Sequence, residues 1–225
     1  MAERPGPLVL IGPPGAGKSS VADEMAKRTG GARLQIDAGW VAQLRRQPAI
    51  AAVEPAILVE PDGDVLPSRR RAYLMEVRER LTAAHGEAAA ARALEQAKAR
   101  AVLDMVEGAG DDAIVDFGAG HSIYEHLDLR ATVAAALSGG FVVLLLPCVE
   151  PAAAVAILAA RLAAQGRPVS AARLAEYVEH PSNRALADAT LHTGTGTIAE
   201  VAAQLVALAA EFRASGRTGP CGRSG

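Results

Sequence analysis

The chain has 225 residues, half of them apolar, which is long enough for one α/β domain with a sizeable core. Aromatic residues are only 3%, so alanine-rich helices and aliphatic strands must supply the packing. A formal net charge of −2 gives no reason to expect nucleic acid or an anionic membrane as partner, and no apolar run approaches membrane-spanning length.

The first element, Leu8 to Ile11, is a short apolar run that reads as a buried parallel strand. It leads directly into Gly12-Pro13-Pro14-Gly15-Ala16-Gly17-Lys18-Ser19, which matches the phosphate-binding pattern G-x-x-x-x-G-K-[ST] at every fixed position. Glycines let successive N–H groups from Gly15 onward curl around phosphate oxygens, and the following helix adds partial positive charge at its N-terminus. In that loop Gly12, Gly15, Ala16, Gly17, Lys18, Ser19 and Ser20 are the residues expected to hold a nucleoside triphosphate. Lys18 would reach the β- and γ-phosphates, and the Ser19 hydroxyl would ligate Mg²⁺.

A first helix is predicted from Lys18 to Arg28, with Val21, Met25 and Ala26 on its buried side, and Gly30-Gly31 ends it. Ala32 to Asp37 reads as the second strand and leaves Asp37 at its carboxyl end, the side on which open parallel sheets bind ligands. A short helix over Gly39 to Arg46 is followed by a proline-rich, irregular stretch from Pro48 to Pro67. Ser68 to Gly108 is helical in pattern, broken near His85-Gly86, and forms an insertion of two helices within residues 48–108. Arg69, Arg70 and Arg71 stand at its start; a solvated first turn competes with a substrate-anion role, for which Arg70 is the candidate.

Ala113 to Asp116 reads as a buried strand ending in an aspartate, and Phe117-Gly118-Ala119-Gly120 follows as a glycine-rich loop. A strand-end aspartate in this position suits a magnesium-water ligand, and Gly118, Ala119 and Gly120 would let the backbone approach a small substrate. His121, Ser122, Tyr124 and Glu125 come next as pocket lining. Phe141 to Leu146 is the most hydrophobic strand and is expected at the centre of the sheet. Pro151 to Ala164 is an alanine-rich helix carrying Arg161, and Gln165-Gly166-Arg167-Pro168 has the character of a lid over residues 161–170. A helix over Ala171 to Glu179, a last strand over Ala189 to Thr193 and a helix over Ile198 to Phe212 complete the domain, with residues 213–225 read as a disordered tail. Cys148 and Cys221 make no disulfide framework, and no leader is visible, so a cytoplasmic protein is expected.

This layout resembles the shikimate kinase branch of the P-loop small-molecule kinases, near the nucleoside monophosphate kinases, over most of the chain to about Leu208. The resemblance implies a three-layer α/β/α P-loop kinase fold, with the phosphate-loop strand central in a five-stranded parallel sheet. It also implies ATP and Mg²⁺ as cofactors. Lys18 and Ser19 match the loop residues for phosphate and magnesium, and Asp37 matches an acidic residue touching magnesium water or the acceptor hydroxyl. Arg167-Pro168 matches the lid, and Ala187-Asp188 a family Ala-Asp. The chain departs from the family pattern in three places: Gln35-Ile36-Asp37 holds one carboxylate where a pair is expected, Glu179 or His180 falls where an arginine would hold the shikimate carboxylate, and Asp-Phe precedes the glycine loop.

The activity implied is transfer of the γ-phosphate of ATP to a hydroxyl of a small metabolite, which leaves the acceptor open between shikimate and another hydroxylated compound. Lys18, Asp37, Asp116 and Arg167 would be catalytic, with the base open between the two aspartates, and Ser19 and Asp116 would serve the metal. Arg161 would join the nucleotide site, and the assembly expected is a monomer or a weak homodimer. The rival readings are a P-loop ATPase or switch acting on a protein partner, and a nucleotide kinase. Against the ATPase stands Phe117, where such enzymes place a water-activating glutamate after the strand-end aspartate.

Overall fold

The computed structural model describes residues 6–37, 40–55, 65, 69–194 and 196–215. Strand β1 (Leu8–Ile11) lies in the middle of a five-stranded sheet, between β3 (Ile114–Asp116) and β4 (Phe141–Leu146), with β2 (Arg33–Gln35) and β5 (Ala189–His192) at the edges. All pairings are parallel, so every crossover must pass over a face and helices cover both. That is why β1 and β4 are apolar at every position instead of alternating. Leu8, Leu10, Val143 and Leu145 pack into the core on one face, while Val9, Ile11, Val142 and Leu144 fill the other. The FVVLLL strand is interior but not central; the loop-bearing strand takes the middle. Truncating a side chain as buried as Leu10 to alanine would cost about 2–5 kcal/mol.

Helices α1 (Lys18–Thr29), α7 (Pro151–Ala164), α8 (Ala171–Glu179) and α10 (Ile198–Ala214) contribute to the first core. Their ends are set by local chemistry. Gly30 caps α1 at φ 74°, the Glu150 carboxylate accepts N–H groups at the start of α7, Ser170 caps α8, and Thr197 and Glu200 form a reciprocal capping box on α10. The second core lies under α5 (Glu87–Glu107), α6 (Leu127–Leu137) and α9 (Pro181–Leu186).

The insertion and the short helix before it build a third cluster. Helices α2 (Trp40–Arg45), α3 (Pro48–Ala51) and α4 (Arg70–His85) pack against α5 around Trp40, Val41, Ile50 and Tyr73. The break between α4 and α5 falls at Gly86, whose φ of 83° favours glycine.

Several boundaries differ from expectation. Strand β2 is three residues long and Ile36-Asp37 form a turn beyond it, and α3 interrupts the stretch read as irregular. Helices α6 and α9 fall in segments for which the sequence pattern gave no element, and α10 runs through Arg213 to Ala214, inside the stretch read as tail. The rest of the proline-rich stretch at 56–64 and 66–68, and the tail from 216, lie outside the described residues. Among the described residues no helix is long and apolar enough to cross a membrane.

Candidate active site

The phosphate loop is shaped by three glycines with positive φ: Gly12 (135°), Gly15 (78°) and Gly17 (91°). Gly12 is also pressed by the neighbouring strand, since a Cβ there would lie 2.4 Å from the Leu145 carbonyl oxygen. Lys18, 7% exposed, folds back over this loop and donates from Nζ to the carbonyls of Gly12 (2.8 Å) and Pro13 (3.0 Å). Burial pushes its pKa down to about 8, against the pull of Asp116 and Asp37. Ser19 and Ser20 are exposed at the first turn of α1. Arg161 reaches from α7 to the Gly15 carbonyl (3.4 Å) and the Gly194 carbonyl (3.0 Å), so its guanidinium braces the loop against the turn after β5.

Asp116 ends β3 beside this loop and is 5% exposed. Its Oδ2 accepts a hydrogen bond from Arg33 (2.8 Å), and the same guanidinium pairs with Asp23 of α1. A neighbouring strand thus supplies a cation to the buried carboxylate. Sequence reading passed over Arg33 because a strand arginine among so many arginines carries no pattern; its partner lies 83 residues away.

Beyond the ends of β2 and β3 opens a cleft of about 1560 Å³, walled by α4, α5 and α8 and reached by Arg167 from the segment between α7 and α8. Asp37 lines it, as do Trp40, Arg70, Lys98 and Gly120. The side chain of Asp37 is 59% open, yet the walls remove enough water to raise its pKa; Arg70, Lys18 and Arg167 act in the opposite direction, and Asp116 adds to the rise. Residues far apart in sequence therefore converge electrostatically on one carboxylate.

The glycine loop after β3 divides its duties. Gly120 faces open space on the cleft, whereas a Cβ on Gly118 would meet Asp37 Oδ1 at 2.1 Å and His121 Nδ1 at 2.7 Å. Gly118 is thus needed to let Asp37 close in on the loop. His121 is not lining but buried, its ring edge-on to Trp40 at 4.7 Å, while Ser122 and Tyr124 are also covered and Glu125 reaches the cleft. On the far wall, Lys98 donates to the Ile123 carbonyl and lies 4.4 Å over the Tyr124 ring. Burial lowers its pKa to about 8, with Glu95 and Glu125 opposing. As one of three lysines in an arginine-rich chain, it carries only a faint signal in the sequence. Where an arginine was expected for shikimate, Glu179 and His180 line the cleft, and His180 pairs with Glu125 at 3.2 Å.

A family model described as an AAA domain, AAA_33, matches residues 8–182. The chain belongs to this family of AAA domains. No curated protein matches it. Among solved structures, the AAA domain is similar to the shikimate kinase from Acinetobacter baumannii in complex with shikimate, at 18% identity and a TM-score of 0.56, over 93% of this chain and 95% of that one. A Thermus thermophilus protein matches at 19% identity and a TM-score of 0.50, covering 93% and 98% of the two chains. A gluconokinase from Sinorhizobium meliloti matches at 17% identity over 95% and 98%, with a TM-score of 0.45. At these identities the likeness is one of fold, and the fold of this AAA domain is the P-loop kinase fold of the shikimate kinases.

Proposed function

We propose that this protein is an ATP-dependent kinase that transfers the γ-phosphate to a hydroxyl of a small metabolite. The observation that carries this reading is the meeting of two sites: Asp37 lines a cleft large enough for a metabolite and lies within electrostatic reach of Lys18 from the phosphate loop. A hydrolase has no need of such a cleft beside its nucleotide, and Phe117, the position for a water-activating glutamate, is 1% exposed in the core.

The residues present fit ATP and Mg²⁺. Three positive-φ glycines turn the loop, and a buried lysine sits on its carbonyls, ready to exchange them for phosphate oxygens. For the metal, the donors are the exposed Ser19 hydroxyl and the Asp116 carboxylate, a sparse set that suits an ion keeping water and phosphate ligands. When bound, Mg²⁺ with ATP supplies the phosphoryl group and part of its charge neutralisation. Lys18 stabilises charge on the transferring oxygens in a site shielded from water. Asp37 orients the acceptor hydroxyl and takes its proton late; its raised pKa moves it toward the range of a useful base. Arg70 and Arg167 flank the same carboxylate and bring positive charge to the acceptor side, with Arg167 delivered by the lid segment. Closure of that segment excludes water as a competing acceptor.

The acceptor is open between shikimate and another hydroxylated metabolite: Glu179 and His180 fall where the resemblance expects a carboxylate-binding arginine, while Arg70, Arg71 and Arg173 line the same cleft. The test is to incubate the protein with γ-labelled ATP and fractionated metabolite pools. Label should appear on a small molecule in one fraction only. Release of labelled inorganic phosphate alone, at a rate no fraction changes, would favour the ATPase reading.

A further inference from the structure

His121 lies in the turn after β3, where its backbone N–H donates to the Gly118 carbonyl at 2.9 Å. The side chain is enclosed, the residue being 5% exposed, and neither ring nitrogen makes a well-aligned hydrogen bond, although the Gly118 backbone lies close enough to favour the charged ring. Burying polar ring atoms without well-made hydrogen bonds is costly, so an apolar residue of similar shape would suit mere packing better. The nearest carboxylate is Asp37, with Oδ1 3.7 Å from Nδ1. That is 0.5 Å or so beyond hydrogen-bond reach.

Two further observations point the same way. Gly118 has no positive φ that would call for glycine, yet any Cβ there would wedge between Asp37 Oδ1 and His121 Nδ1, so the residue keeps this gap free. Trp40 stands edge-on against the imidazole and fixes the ring. Asp37, by contrast, is more than half open and can turn toward it.

We infer that His121 is a positioning residue for Asp37: its imidazole donates through Nδ1 to one carboxylate oxygen and leaves the other for the acceptor hydroxyl. The inference rests on the kinase reading for its purpose, not for its geometry. The ring is neutral, since burial pushes its pKa down to about 3, with Lys98, Lys18 and Arg70 adding to the fall and the Gly118 backbone opposing it. A neutral ring has one N–H to give, and the choice of nitrogen is set by the partner of the other. Asp37 itself faces Lys18, Arg70, Asp116 and Arg167, none of which fixes which of its oxygens meets the substrate.

The decisive experiment is nitrogen NMR of the His121 ring in the full chain without nucleotide. The expected result is the Nδ1–H tautomer, with an Nδ1 resonance that moves in Asp37→Asn. An Nε2–H tautomer, or an Nδ1 resonance indifferent to Asp37→Asn because the Gly118 carbonyl holds the proton, overturns the inference. Transfer to the acceptor identified above gives a second readout. His121→Phe should lower kcat about tenfold or more at an ATP KM within about twofold of wild type, as expected when a reacting group is misaligned. His121→Asn, which keeps a donor near the δ position, should recover most of the loss, and His121→Gln, with its donor further out, should not. Unchanged kcat in a folded His121→Phe overturns the inference. A wild-type protein that turns over no acceptor while Nδ1 still follows Asp37 overturns the kinase reading and supports the contact.

Discussion

The two ends of the site are built on opposite principles. The phosphate loop is a continuous segment, Gly12 to Ser19, whose shape comes from its own glycines and whose lysine is held by its own carbonyls. The cleft beside it is assembled from α4, α5, α8 and two loops, and its charges come from Arg70, Lys98, Glu125, Arg167 and their neighbours. The first is close to prebuilt for one ligand. The second is open and lined by charges of both signs, which suits the acceptor side of the proposed transfer.

This contrast predicts unequal consequences for mutations. The largest belongs to the loop: Lys18→Ala should reduce phosphoryl transfer at least ~10²–10³-fold, the loss typical of one preorganised electrostatic donor. Activity within a few-fold of wild type would remove Lys18 from the chemistry and dissolve the contrast. At the junction of the two ends, Asp37→Asn and Asp116→Asn should each cut the rate by about a hundredfold. They should differ in kind, Asp116→Asn raising the Mg²⁺ concentration needed for half-maximal rate and Asp37→Asn leaving it alone. Equal Mg²⁺ curves would make Asp116 a structural partner of Arg33.

The same contrast explains what could be read from the sequence. Strand, loop and helix at Leu8 to Thr29 were legible because each step is local: an apolar run, a fixed glycine spacing, a helical stripe closed by glycine. The place of Asp116 was legible because it ends β3, and that of Asp37 nearly so, since it lies in the turn just past β2. Arg33 was not, since its value lies in a pairing with Asp116 across adjacent strands, and strand pairing leaves no mark on either residue. His121 was noticed only as lining, because nothing local says that its ring is enclosed by Trp40 and Gly118. The FVVLLL strand was assigned to the centre on hydrophobicity alone, but burial on both faces makes β1 and β4 equally apolar, and order within the sheet is a matter of crossovers. Helix α9 escaped because six residues opening at Pro181 hold too little periodicity to declare a helix.

On the cleft side, Arg167→Ala should depress single-turnover transfer about tenfold or more, less than the 10³–10⁵ of a fully engaged arginine finger, while ATP affinity without acceptor stays within about twofold. Equal small losses in both would make Arg167 a surface residue. A stability effect comes next: Arg33→Gln leaves the Asp116 carboxylate buried without its cation, and should cost roughly 2–3 kcal/mol in denaturant unfolding. That is below the figure for fully enclosed pairs because Arg33 is 19% exposed. An unchanged midpoint would show that Asp116 is held by other contacts.

The smallest effect is a proton count. Lys18 is below its ordinary lysine pKa in the free protein, at about 8, and a bound triphosphate favours its charged form. ATP binding should therefore take up protons near and above pH 8 and weaken as pH climbs, which calorimetry in buffers of different ionisation enthalpy reads directly. The folded pKa of Lys18, like that of Lys98, lies below the unfolded value, so between about pH 8 and 10.5 the unfolded chain binds more protons and these two groups make the ligand-free protein more stable as pH rises. Proton uptake that is absent at pH 8 would mean that Lys18 is already fully charged there before ATP binds.

The central claim is that phosphate leaving the loop arrives on a molecule held in the cleft. Phosphorus NMR of ATP, Mg²⁺ and an acceptor-bearing metabolite fraction tests it, run with wild type and with Asp37→Asn. Wild type should convert the γ-phosphate resonance into a new phosphomonoester, and Asp37→Asn should bind ATP as tightly yet form that product about a hundredfold more slowly. Inorganic phosphate as the sole product, formed at the same rate by both proteins, would contradict the account.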